Sequence, residues 1–165
     1  MATKRKATDG ITERLDKAAK DAKTEDEALE AGERIAEELT REVDRAYKDE
    51  NVAKFTRRLL GLVYREYAAR VHRGEKWTSC PVTRYGALSG AEGVGLIVTR
   101  RGERNYDKWN EHIADMVDRG WVSARVSRKS AKQEALGIPG LGLLLAPPGK
   151  LAKTGATNYF AEFTA

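Results

Sequence analysis

The segment between Asn51 and Gly74 restricts this chain more than any other. Val52, Phe55, Leu59, Leu60, Leu62, Val63, Tyr64, Tyr67 and Val71 recur there at helical spacing. Asn51 supplies a start signal and Gly74 a stop signal. An apolar face that wide needs more than one neighbour, so the spacing predicts a core helix covered by several elements. Its other side carries Lys54, Arg57, Arg58, Arg65, Arg70 and Arg73. These cations are either a solvated face or a set of phosphate contacts.

The sequence before it is helical by pattern but differently built. Ile11, Leu15, Ala18 and Ala22 predict a short helix over 11–23. Thr24 stands three residues ahead of Glu27, a capping-box spacing, and a single continuous helix is expected over 24–50. Leu29, Ala36 and Val43 form one heptad row, and Gly32, Leu39 and Ala46 the other. Glu30, Glu33, Arg34, Glu37, Glu38, Arg41 and Glu42 flank them. A narrow apolar stripe with charged shoulders fits one partner helix. That helix belongs either to a second copy, giving a homodimer through residues 24–50, or to the chain's own core.

Charge is divided unevenly. Residues 1–50 hold 11 Lys and Arg against 15 Asp and Glu, a net of −4, and residues 51–165 hold 19 against 10, a net of +9. A basic region behind a mildly acidic arm points to a polyanion, with nucleic acid the first candidate. Other classes lose support. No apolar run reaches the ~18 residues of a membrane helix. The lone Cys80 makes neither an internal disulfide nor a zinc site by itself. Met1–Lys6 is basic with no apolar run behind it, so no secretory signal is read and a cytoplasmic location is expected. His72 and His112 lie in no catalytic or metal motif, and Glu111, His112 and Asp115 read as ordinary helix charges. The chain is therefore expected not to be an enzyme and to need no cofactor or metal.

The richest local signal lies beyond Gly74. Pro81–Ser89 is expected to be a short helix, because proline is tolerated at the first helical position. Gly90, Gly93, Gly95 and Gly102 then mark turns, without the order of a phosphate-binding loop. Arg100, Arg101 and Arg104 follow on an expected loop. Asn105 caps an expected helix over 106–119 with Tyr106, Trp109, Ile113, Met116 and Val117 on one face, and Gly120 falls where that helix should end. Trp121–Val126 alternates as a strand, with Trp121 and Trp109 expected in the core. A basic stretch with Arg128, Lys129 and Lys132 leads to a second strand over 141–146, closed by Pro147-Pro148-Gly149. Tyr159, Phe160 and Phe163 make residues 151–165 a docking tail.

This succession of helix, glycine, strand, basic loop and strand resembles the second half of a winged helix-turn-helix DNA-binding domain. The residues that carry the resemblance are Asp118-Arg119-Gly120-Trp121-Val122, the step from recognition helix into wing, and Tyr85-Gly86-Ala87-Leu88 in the shorter helix before it. It covers about residues 51–150. Two features depart from the family: the long glycine-rich stretch between the two helices, and the acidic side Asp107, Glu111, Asp115 and Asp118 of the expected recognition helix. Pro81–Leu88 also resembles the opening of the alkylguanine-DNA alkyltransferase winged domain, but the Pro-Cys-His-Arg nucleophile motif is absent and that chemistry is excluded.

The expected protein is mainly α with a small β-hairpin. It has an acidic helical arm over 1–50, a basic winged-helix-like domain over 51–150 and the tail. The resemblance and the charge together imply a non-catalytic DNA-binding protein, a regulator or a phage- or plasmid-type accessory factor. Its contacts with duplex DNA would come from Arg100, Arg101, Arg104, Lys108, Arg125, Arg128, Lys129 and Lys132. The alternative is a protein-binding module, an inhibitor or adaptor built on the same scaffold.

Overall fold

A computed structural model describes residues 8–75, 80–81, 87–126 and 143–149. The chain is mainly helical with a small antiparallel sheet. It divides into two compact units, Met1–Thr78 and Ser79–Ala165.

The first unit holds helices α1 (Ile11–Asp21), α2 (Glu25–Glu37), α3 (Thr40–Ala46) and α4 (Glu50–His72). α4 is the element the wide apolar face called for. Leu59, Leu60, Val63, Tyr64 and Tyr67 on it are buried, and α1, α2 and α3 all pack against it. The helix expected to open the basic domain at residue 51 therefore belongs with the N-terminal helices, and the division falls after Thr78. Asp49, not Asn51, caps α4, its Oδ1 accepting the N–H groups of Asn51 at 2.8 Å and Val52 at 3.3 Å. Gly74 ends it as expected. At φ 74° it lets its own N–H reach Val71 O and the Glu75 N–H reach Arg70 O, the paired bonds of a Schellman cap.

The capping box at the start of α2 forms. Thr24 Oγ1 accepts the Glu27 N–H at 3.2 Å, and Glu27 Oε2 accepts the N–H of Lys23 at 2.9 Å. The continuous helix expected over 24–50 does not. α2 stops at Glu37, and at Glu38 and Leu39 the N–H groups bond three residues back instead of four, a tight turn before α3. The apolar rows still run through this turn, because Leu39 and Val43 stay fully buried. Ala36, Leu39 and Val43 of the stripe are buried, Leu29 and Ala46 are half-buried, and α2 and α3 lie against α4 of the same chain. Gly32 marks the closest approach. A Cβ there would stand 2.6 Å from the carbonyl oxygen of Tyr64 and 2.9 Å from Arg65 Cα. Ala28, Ala31 and Ala36 continue this small-residue seam.

The second unit comprises β1 (Cys80–Pro81), α5 (Ala87–Gly93), β2 (Val98–Arg100), β3 (Glu103–Asn105), α6 (Asp107–Asp118), β4 (Ser123–Val126) and β5 (Leu143–Ala146). Two separate sheets form: β1-β5-β4, antiparallel throughout, and the ribbon β2-β3. Cys80-Pro81 is a strand where a helix start was expected. Proline lacks the N–H a central strand must donate, and β1 is an edge. Residues 82–86 lie outside the described residues; the helix is described over Ala87–Gly93, and its C-terminal end absorbs the glycine-rich stretch. Gly95 at φ 82° allows its N–H to bond Glu92 O and the Leu96 N–H to bond Ala91 O, a helix cap and no phosphate loop. The core gathers Ala91, Leu96, Ile97, Trp109, Ile113, Met116, Trp121, Val122 and Leu145.

Candidate nucleic-acid interface

α6 is built as its sequence implied. The Asn105 side chain accepts the Asp107 N–H at 2.9 Å. Gly120, at φ 78°, closes the far end with bonds from its own N–H to Val117 O and from Trp121 N–H to Met116 O. The chain then enters β4 with Trp121 turned inward and buried. Arg119 lies over the Trp121 ring, 5.5 Å from its centroid, and pairs with Asp115 at 2.8 Å. This arginine is committed to holding the helix end.

The buried face of α6 is Trp109, His112, Ile113 and Met116. His112 replaces the expected Val117, which is only half-buried. Its ring stacks on Trp109 with centroids 6.5 Å apart and planes 20° apart. Burial pushes the imidazole down to about 4, against a smaller upward pull from Asp115. A neutral, buried ring is a packing residue.

The outward face of α6 carries Asp107, Lys108, Glu111, Asp118 and Arg119, all exposed. With half-buried Asp115 that is four acids against two cations. Such a face repels a phosphate backbone. Lys108 is placed at the surface, but among neighbours of the wrong sign.

The arginines beyond the glycine-rich stretch stand differently. The expected loop is a hairpin, with Val98 opposite Asn105, Thr99 opposite Arg104 and Arg100 opposite Glu103. Arg101 at φ 52° and Gly102 at φ 80° make the two-residue turn, with both residues in the left-handed region that a tight hairpin of this hand requires. Every residue from Thr99 to Asn105 is exposed. The ribbon has one half-buried apolar residue, Val98, and it is tethered by Ile97, buried at its root, and by a 3.4 Å bond from Thr99 Oγ1 to Glu92 Oε1. Two-stranded ribbons without an apolar face gain little from their own packing. Arg104 lies beside Tyr106 and then Glu92, both of which hold its guanidinium more firmly charged. Among the described residues no salt bridge joins Arg100 or Arg101 to an acid.

The structure thus brings Arg100, Arg101 and Arg104 together on one ribbon and sets Lys108 on the next helix. Arg125 occupies a β4 position opposite Leu144 in the sheet. Arg128, Lys129 and Lys132 lie outside the described residues, as does the tail 151–165. Three of the six cations of the 51–74 segment are paired with acids of their own unit: Arg57 with Asp44, Arg70 with Glu66 at 3.0 Å, and Arg73 with Glu25 at 2.5 Å and Glu75 at 3.0 Å, while Lys54 and Arg58 are exposed.

Among the described residues no cluster of three metal-ligating side chains occurs, and no helix is long and apolar enough to cross a membrane. No protein-family model, curated protein or solved structure matches the chain.

Proposed function

We propose that this is a non-catalytic nucleic-acid-binding protein whose second unit grips duplex DNA through the β2-β3 ribbon. The observation that carries this reading is the ribbon itself. Its eight residues, 98–105, hold three arginines and one glutamate, and all but Val98 are exposed. The second unit as a whole has twelve Lys and Arg against eight Asp and Glu, a net of +4 over residues 79–165. Phosphate contacts from such a ribbon neutralise backbone charge and release counterions, which makes affinity fall with salt.

The winged-helix resemblance adds support of a second kind. α6 ends at Gly120, steps through Trp121 and Val122 into β4, and β4 pairs with β5 across the basic residues 127–142. That is the helix-to-hairpin succession the resemblance implies. The acidic outer face of α6 moves the expected contacts away from this helix and onto the ribbon, with the basic residues 128–132 as further contacts.

A protein-binding module is the second reading, and the same acidic face of α6 favours it, since a basic protein surface complements it. Titration of the whole protein against a random-sequence duplex, at ~50 and ~200 mM salt where electrostatic binding differs most, separates the two. DNA binding that weakens steeply with salt supports the proposal. Replacing Arg100, Arg101 and Arg104 with alanine should then lower the magnitude of the log K against log salt slope by up to ~2.7, at ~0.9 per phosphate contact. Absence of binding at the lower salt overturns the proposal and leaves the protein-binding module.

A further inference from the structure

The ribbon holds a residue that phosphate contact alone does not explain. Arg101 is the one non-glycine residue with positive φ among the described residues. At the first central position of this turn Asn, Asp or Gly adopts the left-handed region with least strain. An arginine there keeps its backbone in a disfavoured conformation, and such outliers point from geometry to a side chain retained for its task. Position distinguishes it as well. Arg100 faces Glu103 across the ribbon, and Arg104 lies beside Tyr106 and Glu92, whereas Arg101 occupies the tip.

We infer that Arg101 is a base-reading residue, donating to the N7 and O6 atoms of guanine in the DNA major groove, while Arg100 and Arg104 hold the flanking phosphates. The inference rests on the DNA-binding reading above and deepens it from backbone grip to sequence choice. A two-stranded ribbon fits the ~12 Å width of the B-form major groove, and arginine is the side chain whose paired N–H donors match guanine's two acceptors there. Arg101 and Gly102 are both exposed at the turn, so the tip enters first and meets base edges, while the strands behind it run between the phosphate rows. The deep, narrow major groove of A-form RNA does not admit such a ribbon. Duplex RNA should consequently bind less tightly and without preference.

The test measures affinity of the full chain for three duplexes of equal length at one salt concentration. One is rich in G·C, one is the same sequence with 7-deazaguanine replacing guanine, and one is all A·T. The modified base keeps its pairing and its phosphates and loses only the N7 acceptor. The parent protein should bind the G·C duplex about 5- to 100-fold more tightly than either other duplex, the range for one good bidentate base contact. Arg101→Asn suits the left-handed turn, so the ribbon should remain folded, and it should bind all three alike. Arg101→Lys, which keeps the charge and loses the paired donors, should lose most of the preference and little of the salt dependence. Salt-dependent binding of equal strength to all three duplexes by the parent overturns the base-reading role and leaves the phosphate grip standing. A preference that survives in Arg101→Asn overturns it too. Failure of the parent to bind any duplex removes the underlying DNA reading itself, a result distinct from the other two.

Discussion

Four arginines of the first unit and the three on the ribbon of the second play opposite parts in this protein. In the first, Arg14 bonds Glu38 at 2.5 Å, Arg57 bonds Asp44, and Arg70 and Arg73 bond Glu66, Glu25 and Glu75. Arg14, Arg57 and Arg73 fasten one helix to another and Arg70 braces α4 along its own length, and residues 1–78 carry 18 Lys and Arg against 17 Asp and Glu, a net of +1. In the second unit Arg119 is similarly occupied, but Arg100 and Arg101 stand on a ribbon with no acid bonded to them among the described residues. The number of basic residues along a chain therefore says little about binding. What matters is whether the fold has already spent them on its own carboxylates. Arg57, Arg70 and Arg73 looked as eligible for phosphate as the arginines of the ribbon until their partners were seen.

The units also differ in what makes them cohere. The first joins α2 to α4 along a seam of small residues, beside which Leu59, Leu60, Tyr64 and Tyr67 are buried. The second is built around two large buried rings, Trp109 and Trp121, under a small sheet. Substitutions should separate these two kinds of core. Trp121→Ala removes a ring that is 1% exposed and should cost roughly 3–5 kcal/mol, as large-to-small core changes do. Chemical denaturation followed by Trp109 fluorescence reads this loss. A loss confined to the second unit sharpens the contrast, and a near-neutral result would mean the ring is not the anchor of that unit.

Acid should strike the second unit next. His112 has a folded-state value lowered to about 4 from 6.5, so the unfolded chain binds more protons between those values. Stability supplied by the neutral ring is complete above pH 6.5 and declines as pH falls toward 4, by on the order of 3 kcal/mol. Melting temperature recorded at several pH values should show this decline in the parent and a flatter profile in His112→Leu. An identical profile for both would show that other groups set the acid sensitivity.

Glycine in the first unit gives a third test, with a sign built in. Gly32→Ala places a methyl group 2.6 Å from a backbone oxygen that cannot swing aside, so α2 must shift. A net loss of roughly 1–3 kcal/mol is expected, the range for overpacking. Gly61→Ala meets nothing within 4 Å and gains helix propensity, up to about 1 kcal/mol. Equal effects of the two substitutions would remove the close seam from the account. The smallest effect belongs to the ribbon, where Arg100→Ala, Arg101→Ala and Arg104→Ala should each alter stability by no more than about 0.5 kcal/mol, as exposed residues do. Calorimetry showing a larger loss would make the ribbon a structural element instead of a projecting one.

Much of this fold was legible where local chemistry acts on the backbone. Thr24 with Glu27, Gly74 and Gly120 end their helices as their sequence positions imply, because caps are satisfied within a few residues. Trp121 was readable as a core residue because it follows such a cap at the start of a strand. The break at Leu39 was hidden for a physical reason. A tight turn that keeps Leu39 and Val43 buried preserves the apolar rows, so periodicity does not register it. His112 escaped notice because a polar residue type carries no burial signal, although it lies one turn of helix from the buried Trp109 and Met116. The ribbon was the largest omission. Its strands are three residues each, their side chains show no apolar alternation, and the turn is Arg-Gly where Asn-Gly would have announced a hairpin. The arginines were picked out as candidates, but the element that presents them was not.

A matched removal of charge from the two units separates the ribbon from overall basicity as the source of DNA affinity. One variant replaces Arg100, Arg101 and Arg104 with alanine, and the other replaces Arg57, Arg70 and Arg73. Each lowers net charge by the same three units, so any effect of overall basicity is equal. Binding to a random duplex at ~50 mM salt, where electrostatic contacts count most, should be lost or greatly weakened in the ribbon variant. It should persist near the parent's level in the other, whose cost should appear instead as a lower melting temperature of the first unit. Equal weakening in both variants, or loss only when the α4 arginines are removed, would contradict the account.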